Sequence, residues 1–416
     1  MNSNPLLEEL ARTSWGKFVA FLSTKTHDIA AAEDAVAEAF RIAVERWRDE
    51  GVPPNPEAWL LHVAHKRLTD SFRRSITREK AVPQLVRDSD AAQLRSDEEA
   101  IETMETIPDE RLKLLFVCAH PAIDSSIRTP LMLQTVLGLD AVRIAKAFAL
   151  SPEAMSQRLV RAKTKIREAA IPFSVPHIHQ LPERLSAVLD AIYVAYGTGW
   201  EEEHGKSVPV QQSLVAEALW LARLLSNLQP DSAETKGLLA LMLFLESRKE
   251  ARFDSHTGFF VPLEEQDTGL WNDPLIREAE TTLREASALG NPGPYQWMAA
   301  IQSIHCSRKY TGQLPWSVIL QLYEALQYAK PTLGVQLGRI LPLYHTHGLE
   351  AAWNALQSLP MERVETHQPY WAVRAFLLRS SGKTNEARSA YEKAASLTND
   401  ERLKGYLLTQ RMLLAD

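Results

Sequence analysis

Residues 139–167 read LDAVRIAKAFALSPEAMSQRLVRAKTKIR, and this stretch predicts two helices that meet at a sharp turn. Asp140 is placed to cap the first helix. Ser151 and Pro152 are placed to start the second, because a serine oxygen accepts from a free N–H of the first turn and proline lacks the N–H that would be unpaired there. The second helix is expected to bury one stripe, formed by Met155, Leu159, Ala162 and Ile166.

The opposite side of the second helix carries amides and cations. Gln and Arg side chains offer paired hydrogen-bonding groups that distinguish adenine and guanine in the major groove, and Lys and Arg neutralise phosphates. A basic surface helix whose charges are merely solvated is the alternative, but the cap, the proline and the short preceding helix favour a DNA-binding pair of helices. The residues predicted on the open, DNA-facing side are Ser156, Gln157, Arg158, Arg161, Lys163 and Lys165.

The same helical spacing extends over nearly all of the 416 residues, with apolar residues three and four positions apart. Alternating, strand-like runs are almost absent. The best candidate, around Phe259, Phe260 and Val261, is short enough to be a loop or a small hairpin. We therefore predict an all-α fold class. The chain is long enough to bury two or three hydrophobic cores.

The composition excludes several classes of protein. The chain has 46 Lys+Arg against 52 Asp+Glu and a formal net charge of −6, so a DNA-binding surface has to be a local patch. The longest apolar stretch, 238–245, is far shorter than a membrane-spanning helix, which needs about 20 residues. The N-terminal residues lack a secretion signal, which predicts a cytoplasmic protein.

Neither metal chemistry nor catalysis is indicated by the residue patterns. Cys118 and Cys306 are far apart and are expected to be small buried residues that bind no metal. A glycine-rich phosphate loop, a metalloprotease motif and a nucleophile with a matching base are all missing. We therefore expect neither an enzyme nor a cofactor.

Two breaks divide the chain into predicted domains. Acidic residues dominate 88–110, with few large apolar side chains, which is typical of a linker. Pro172 and Pro176 end the basic helix before new helical spacing begins. We predict domains over residues 1–80, 108–172 and 177–416, and an acidic linker over residues 81–107.

The stretch 139–167 resembles region 4 of sigma-70-type RNA polymerase sigma factors, above all the extracytoplasmic-function group, in its spacing IA..F.LS...MSQRLVRAK.KIR. Two earlier segments resemble region 2 of these factors. AEDAVAEAF at 32–40 looks like the helix that docks on polymerase, and WLLHVAHKRLTDSFRR at 59–74 looks like the helix that meets the melted minus-ten element. The resemblance implies a region 2 helical bundle and a helix-turn-helix region 4 domain that reads the upstream promoter element. It also implies binding to the beta and beta-prime subunits of core polymerase.

The resemblance assigns residues to two surfaces of region 2. Acidic residues beside an apolar seam suit a basic coiled-coil partner, although a solvated acidic face has the same pattern. Cations and flat rings suit a melted single strand, although for Trp59 core packing is favoured because Leu60 and Val63 continue the apolar stripe. The implied polymerase-binding residues are Glu33, Asp34, Glu38 and Phe40. The implied minus-ten residues are Asn55, Trp59, His62, His65, Lys66, Arg67, Arg73 and Arg74.

The C-terminal part resembles a tetratricopeptide-like helical array. Segments 112–123, 237–248 and 290–301 look like those of a subgroup of extracytoplasmic-function sigma factors that carries such an extension. A curved array offers a concave surface to a protein, a peptide or another part of the same chain. The junction 171–176 lacks flexible spacers, so the array is expected to pack against the sigma-like domains or a partner. The residues at the offsets of one repeat are Trp371, Ala375, Leu378, Ala387, Tyr391 and Ala394.

Two other functions fit the same sequence. One is a DNA-binding transcription regulator with a tetratricopeptide-like effector domain that never joins polymerase. The other is a tetratricopeptide-like scaffold whose basic helix is incidental. A sigma factor binds core RNA polymerase and reads its promoter specifically as part of the holoenzyme, whereas a regulator binds duplex DNA without core. Binding to core polymerase therefore separates the sigma factor from both alternatives.

Overall fold

The structure, a computed structural model, describes residues 4–79, 107–148, 150–174, 181–202 and 214–414. Over these ranges the chain is helical and contains no strand, which confirms the all-α prediction. The aromatic patch contributes one isolated antiparallel bridge, between Phe253 and Phe260. None of the described helices is long and apolar enough to cross a membrane. The acidic linker lies outside the described residues up to position 106.

Two compact units divide the chain, Met1–Leu225 and Ser226–Asp416. The first unit begins with the helices α1 (Asn4–Thr26), α2 (Ile29–Glu50) and α3 (Pro56–Glu79). α2 packs between α1 and α3. It begins where the Asp28 carboxylate accepts a hydrogen bond from the N–H of Ala31, at 3.1 Å. Its buried stripe holds Ile29, Ala32, Ala35, Val36, Ala39, Ile42, Ala43 and Trp47, at helical spacing.

A second group of helices in this unit contains the stretch with the predicted DNA-binding residues. The helices are α4 (Ile107–Cys118), α5 (Ser125–Thr135), α6 (Ala141–Ala147) and α7 (Pro152–Glu168). α7 packs against α6, α5 and α2, and α4 packs along α1. Asp140 accepts from the N–H of Arg143 at 2.8 Å and so caps α6, as its position predicts.

The first unit also includes one helix and most of a second that follow the predicted boundary at residue 177. They are α8 (Leu181–Glu202) and α9 (Leu214–Leu228), and α8 packs along α5. The buried Arg111 of α4 donates a hydrogen bond to Glu217 of α9, and its guanidinium lies 4.6 Å from the ring centroid of Trp220. The compact units thus divide at 225/226, although α7 ends at Glu168, a few residues before Pro172.

The second unit is a succession of packed helices. Its helices are α10 (Ala233–Glu246), α11 (Asp273–Ala288), α12 (Pro294–Thr311), α13 (Trp316–Ala329), α14 (Leu333–Gly338), α15 (Ile340–Gln357), α16 (Met361–Val364), α17 (Gln368–Ser380), α18 (Thr384–Ser396) and α19 (Glu401–Met412). Within α15, Gly348 has φ 84°, a left-handed backbone that breaks the helix and that glycine adopts without strain. The repeat-like residues share one core: Ala375, Leu378, Ala387, Tyr391 and Ala394 are buried together, with Trp371 against them.

Both cysteines are buried, as predicted. Cys118 ends α4, and its Sγ lies 3.4 Å from the hydroxyl oxygen of Thr135. Burial raises the pKa of the Cys118 thiol to about 12. Because only the thiolate reacts readily, Cys118 is poorly nucleophilic in the folded chain.

Candidate nucleic-acid interface

The second helix of the predicted DNA-binding pair, α7, is positioned by its first turn. The Ser151 hydroxyl accepts from the N–H of Ala154 at 3.2 Å, and Pro152 occupies the first helical position. The predicted stripe of Met155, Leu159, Ala162 and Ile166 is buried. This anchoring leaves most of the predicted DNA-binding residues outward: Ser156, Gln157, Arg158, Arg161 and Lys165 are exposed.

The prediction that all six DNA-binding residues of α7 lie on its open side is wrong for Lys163. Its side chain is only 9% exposed, and its Nζ lies 2.5 Å from Oε2 of Glu33 in α2. Arg167, one turn later, lies 3.5 Å from the Asp28 carboxylate. Helical spacing places Lys163 between the buried stripe and the outward face, and the spacing alone does not reveal that α2 covers this side.

The predicted polymerase-docking residues of α2 have unequal surroundings. Glu33 is half-buried, and burial raises the pKa of its carboxyl while Lys163 opposes that shift. Glu38 accepts two hydrogen bonds from Arg41, at 2.8 Å each, which hold the pKa of its carboxyl below the usual range. Asp34 is exposed, and the half-buried Phe40 ring lies 6.1 Å from the Trp15 ring. Asp34 is therefore the predicted docking residue that a partner reaches most directly.

The predicted minus-ten residues of α3 include both surface and structural groups. His62, Lys66 and Arg67 are exposed, and His65 is half-buried. Asn55 caps α3, because its Oδ1 accepts from the N–H of Ala58 at 3.1 Å. The side chains of Arg73 and Arg74 lie outside the described part of the structure.

Trp59 packs inside the first group of helices. Its half-buried ring meets the buried Trp47 ring edge-on, at 5.4 Å between centroids. The structure therefore favours the core-packing alternative for Trp59 over base stacking. Within the part of the chain that the structure describes, no group of three or more His, Cys, Asp or Glu residues is arranged to hold a metal ion.

Sequence reasoning did not predict the charged contacts between α2 and α7. Glu33 and Lys163 are distant in the chain, and each was assigned to a different surface on the properties of its own helix. Opposite charges are common on both helices, so the sequence holds no signal that selects this pair. The sequence also did not predict that Gly16 of α1 lies against the carbonyl of Val136, at the end of α5.

Removal of the α7 cap is expected to weaken the interface helix. In Ser151→Ala, the N–H of Ala154 loses its acceptor, which is expected to cost about 0.5–2 kcal/mol of unfolding free energy. Chemical denaturation measures the loss. Ser156→Ala is the matched control, since its exposed side chain lies beyond the cap; an equal loss in both variants would show that the Ser151 hydroxyl does not stabilise the helix.

Two comparisons place the chain among known proteins. Residues 184–287, from α8 into α11, match a family of unknown function (DUF6596). The chain is also similar to an uncharacterized protein of Rhizobium meliloti (strain 1021). The two sequences are 37% identical over 383 residues, which cover 91% of this chain and 89% of the relative. The similarity therefore includes the helices with the predicted interface as well as the second unit.

Proposed function

The chain belongs to the same family as the Rhizobium meliloti protein, and we propose that it is a bacterial RNA polymerase sigma factor of the extracytoplasmic-function type. It binds core polymerase and directs promoter recognition at transcription initiation. The observation that carries this proposal is the exposed face of α7, where an amide and cations surround an anchored helix start. The second unit, a tetratricopeptide-like array in this proposal, regulates or supports that activity.

The surroundings of α7 support its role as the recognition helix of a helix-turn-helix. Such a helix enters the major groove with its first turns, and the preceding helix crosses the backbone. Gln157, Arg158 and Arg161 are exposed within those turns, and Lys165 follows one turn later. The amide and guanidinium groups read base edges there, and the Lys165 ammonium pairs with a phosphate.

The first three helices supply the other two surfaces of the proposed sigma factor. The exposed His62, Lys66 and Arg67 of α3 provide cations and a flat ring for a melted single strand. The acidic residues of α2 provide a docking surface for core polymerase, with Asp34 as its exposed member. Asn55 and Trp59 stabilise the helix that carries the minus-ten surface, because Asn55 caps α3 and Trp59 packs on Trp47.

A DNA-binding regulator that never joins polymerase is the second candidate. One observation favours it: Glu33, a predicted polymerase contact, is already paired with Lys163 within the chain. Pull-down of purified core polymerase by the full-length chain separates the candidates. A sigma factor retains core without DNA, whereas a regulator retains duplex DNA without core.

Charge reversal at Asp34 is expected to weaken core binding. Asp34→Lys places a cation on the face that meets a basic partner surface, while the exposed position leaves the fold intact. The affinity for core polymerase is measured together with the circular dichroism spectrum. The control is Glu362→Lys, the same charge reversal at an exposed residue of the second unit. Asp400→Lys is not used, because Asp400 caps a helix and its replacement would change stability. Equal core affinity in Asp34→Lys and in the control would count against docking through α2.

A further inference from the structure

Two buried polar groups of the second unit lack the hydrogen bonds that their burial requires. Trp271, just before α11, is 3% exposed, and its indole N–H has no acceptor among the residues that the structure describes. The Nδ1 atom of His305, a half-buried residue of α12, likewise has no partner within the described chain. Buried polar groups are nearly always hydrogen-bonded, because an unpaired group loses its hydration without compensation. Both groups therefore call for a partner from outside the chain.

Helical spacing brings these groups together with two guanidiniums. Gln302, His305 and Arg308 follow one another at three-residue spacing along one side of α12. Arg248, just after α10, donates from Nη2 to Oε1 of Gln302 at one end of this row. The ring centroid of Trp271 lies 5.3 Å from the guanidinium of Arg308, at the other end, and 5.9 Å from that of Arg248. We call these five residues the α12 polar cluster, and His305 is the middle residue of its row.

The α12 polar cluster is positively charged. Arg248 is 6% exposed and Arg308 is half-buried. In the described part of the chain, Arg308 donates its hydrogen bonds to neutral acceptors, the backbone carbonyls of Leu263, Glu264 and Gln266. The carboxyl of the exposed Glu264 is close enough to compensate part of the charge of Arg308. Two enclosed cations that lie together favour an anion, because their own hydration is reduced.

The imidazole of His305 reports these charges. Burial, and after it the positive charges of Arg248 and Arg308, lowers the pKa of His305 to about 4. The ring is therefore neutral at neutral pH, with one nitrogen as a donor and the other as an acceptor. An anion in the cluster opposes the field of both guanidiniums and accepts from the ring, so its binding raises the pKa of His305.

A row of aromatic rings leads from the surface to His305. The ring of Trp316, at the start of α13, lies edge-on to the His305 ring, at 6.4 Å between centroids. The ring of His345 in α15 stacks on Trp316 at 4.2 Å. Trp316 is half-buried and His345 is exposed. The flat apolar face of such a row suits the organic part of a ligand whose charged group meets the cluster.

We propose that the α12 polar cluster binds a small organic anion, whose carboxylate accepts from Trp271 and His305 beside the two guanidiniums. A carboxylate presents two oxygens to the two unpaired nitrogens, and hydrogen bonds to a charged acceptor are the strong ones. Its single negative charge suits a cluster in which Glu264 already compensates part of the positive charge. The inference does not depend on the proposed sigma-factor activity, because every residue of the site lies in the second unit.

The pKa of His305 in the full-length chain tests the inference. Nuclear magnetic resonance of ¹³C-labelled histidines measures this pKa, and His305→Phe identifies the signal. The probes are benzoate, acetate and inorganic phosphate, each compared with chloride at equal ionic strength. We expect benzoate to raise the pKa of His305 saturably, and acetate to do so only at higher concentration because it lacks a ring to pack on Trp316. Chloride is expected to leave the pKa unchanged.

Trp271→Phe removes the indole N–H and keeps an aromatic ring beside the guanidiniums. We expect this variant to bind benzoate about tenfold more weakly, since it lacks one hydrogen bond to a charged acceptor. Its melting temperature without ligand is expected to change little, because the N–H has no acceptor in the described chain. Trp353→Phe is the matched control, since the half-buried Trp353 of the same unit lies 5.4 Å from the guanidinium of Arg374.

A saturable rise in the pKa of His305 that Trp271→Phe weakens and Trp353→Phe does not would support the site. If none of the three anions shifts this pKa beyond the effect of chloride, the unpaired groups are hydrated and the inference fails. Equal benzoate affinity in folded Trp271→Phe and in the wild-type chain, or tighter binding of phosphate than of benzoate, would overturn the carboxylate site as assigned. Neither measurement uses polymerase or DNA, so its result is distinguishable from a failure of the proposed function.

Discussion

A chain that ends at residue 176 is expected to lose the cooperative unfolding of the first unit. Such a chain lacks α8, which packs on α5 and α4, and α9, whose side chains contact Arg111 of α4. It leaves the buried Arg111 without Glu217 and Trp220. Breaking a buried charge pair by removing one partner costs about 3–5 kcal/mol, a large part of the stability of a domain, and the lost apolar burial adds to it.

A chain that ends at residue 230 is the matched control, since it retains α8 and α9 and omits the helices of the second unit from α10 onward. Thermal unfolding followed by circular dichroism distinguishes the two chains. The longer chain is expected to unfold in one transition, and the shorter chain to unfold at much lower temperature or without a transition. Equal transition temperatures would show that α4–α7 are stable without the two later helices, so that the predicted boundary at residue 177 also separates independent folding units.

The double variant Arg158→Ala/Arg161→Ala is expected to abolish most promoter-specific transcription. Both side chains are exposed on α7, where a guanidinium forms paired hydrogen bonds with guanine or a charged contact with phosphate. A good base-reading pair contributes about 1–3 kcal/mol, which is roughly 5- to 150-fold in binding. Alanine preserves the helix, so the fold is expected to remain intact.

Transcription with core polymerase, together with binding of the holoenzyme to promoter DNA, measures the effect of this double variant. Arg277→Ala/Arg284→Ala is the matched control, because both arginines are exposed on a helix of the second unit. Wild-type transcription from a folded Arg158→Ala/Arg161→Ala variant would mean that α7 does not read the upstream promoter element. If transcription also falls in the control, the effect comes from the loss of positive charge in general and not from contacts of α7.

Local signals predicted the helix that carries the proposed interface. Ser151 and Pro152 determine where α7 begins, and the apolar spacing determines which face is buried, so both features follow from neighbours within a few residues. The break in α15 at Gly348 has an equally local cause, since a residue with left-handed backbone interrupts a helix. Short-range chemistry therefore suffices for helix limits and for the inward or outward direction of a side chain.

Contacts between helices that are distant in the chain were not predictable. Lys163 and Glu33 each have the spacing of a surface residue, and only the packing of α7 on α2 encloses them. Arg111 likewise lies in the charged first turns of α4, and its sequence neighbours do not indicate that it pairs with Glu217 of α9. For Trp59 the apolar stripe favoured core packing over base stacking, and its contact with the neighbouring Trp47 ring agrees with that preference. Pairing of this kind depends on the tertiary arrangement, which one sequence does not encode in its local spacing.

Reconstituted transcription tests the central claim most directly. Purified core polymerase, fragmented genomic DNA of the source organism and the full-length chain are combined, and the 5′ ends of the transcripts are sequenced. The sigma-factor account predicts initiation at a limited set of sites that requires both core and the chain and that is reduced by Asp34→Lys. The result that would contradict it is a folded chain that neither binds core nor directs initiation at any site, while it still binds duplex DNA alone.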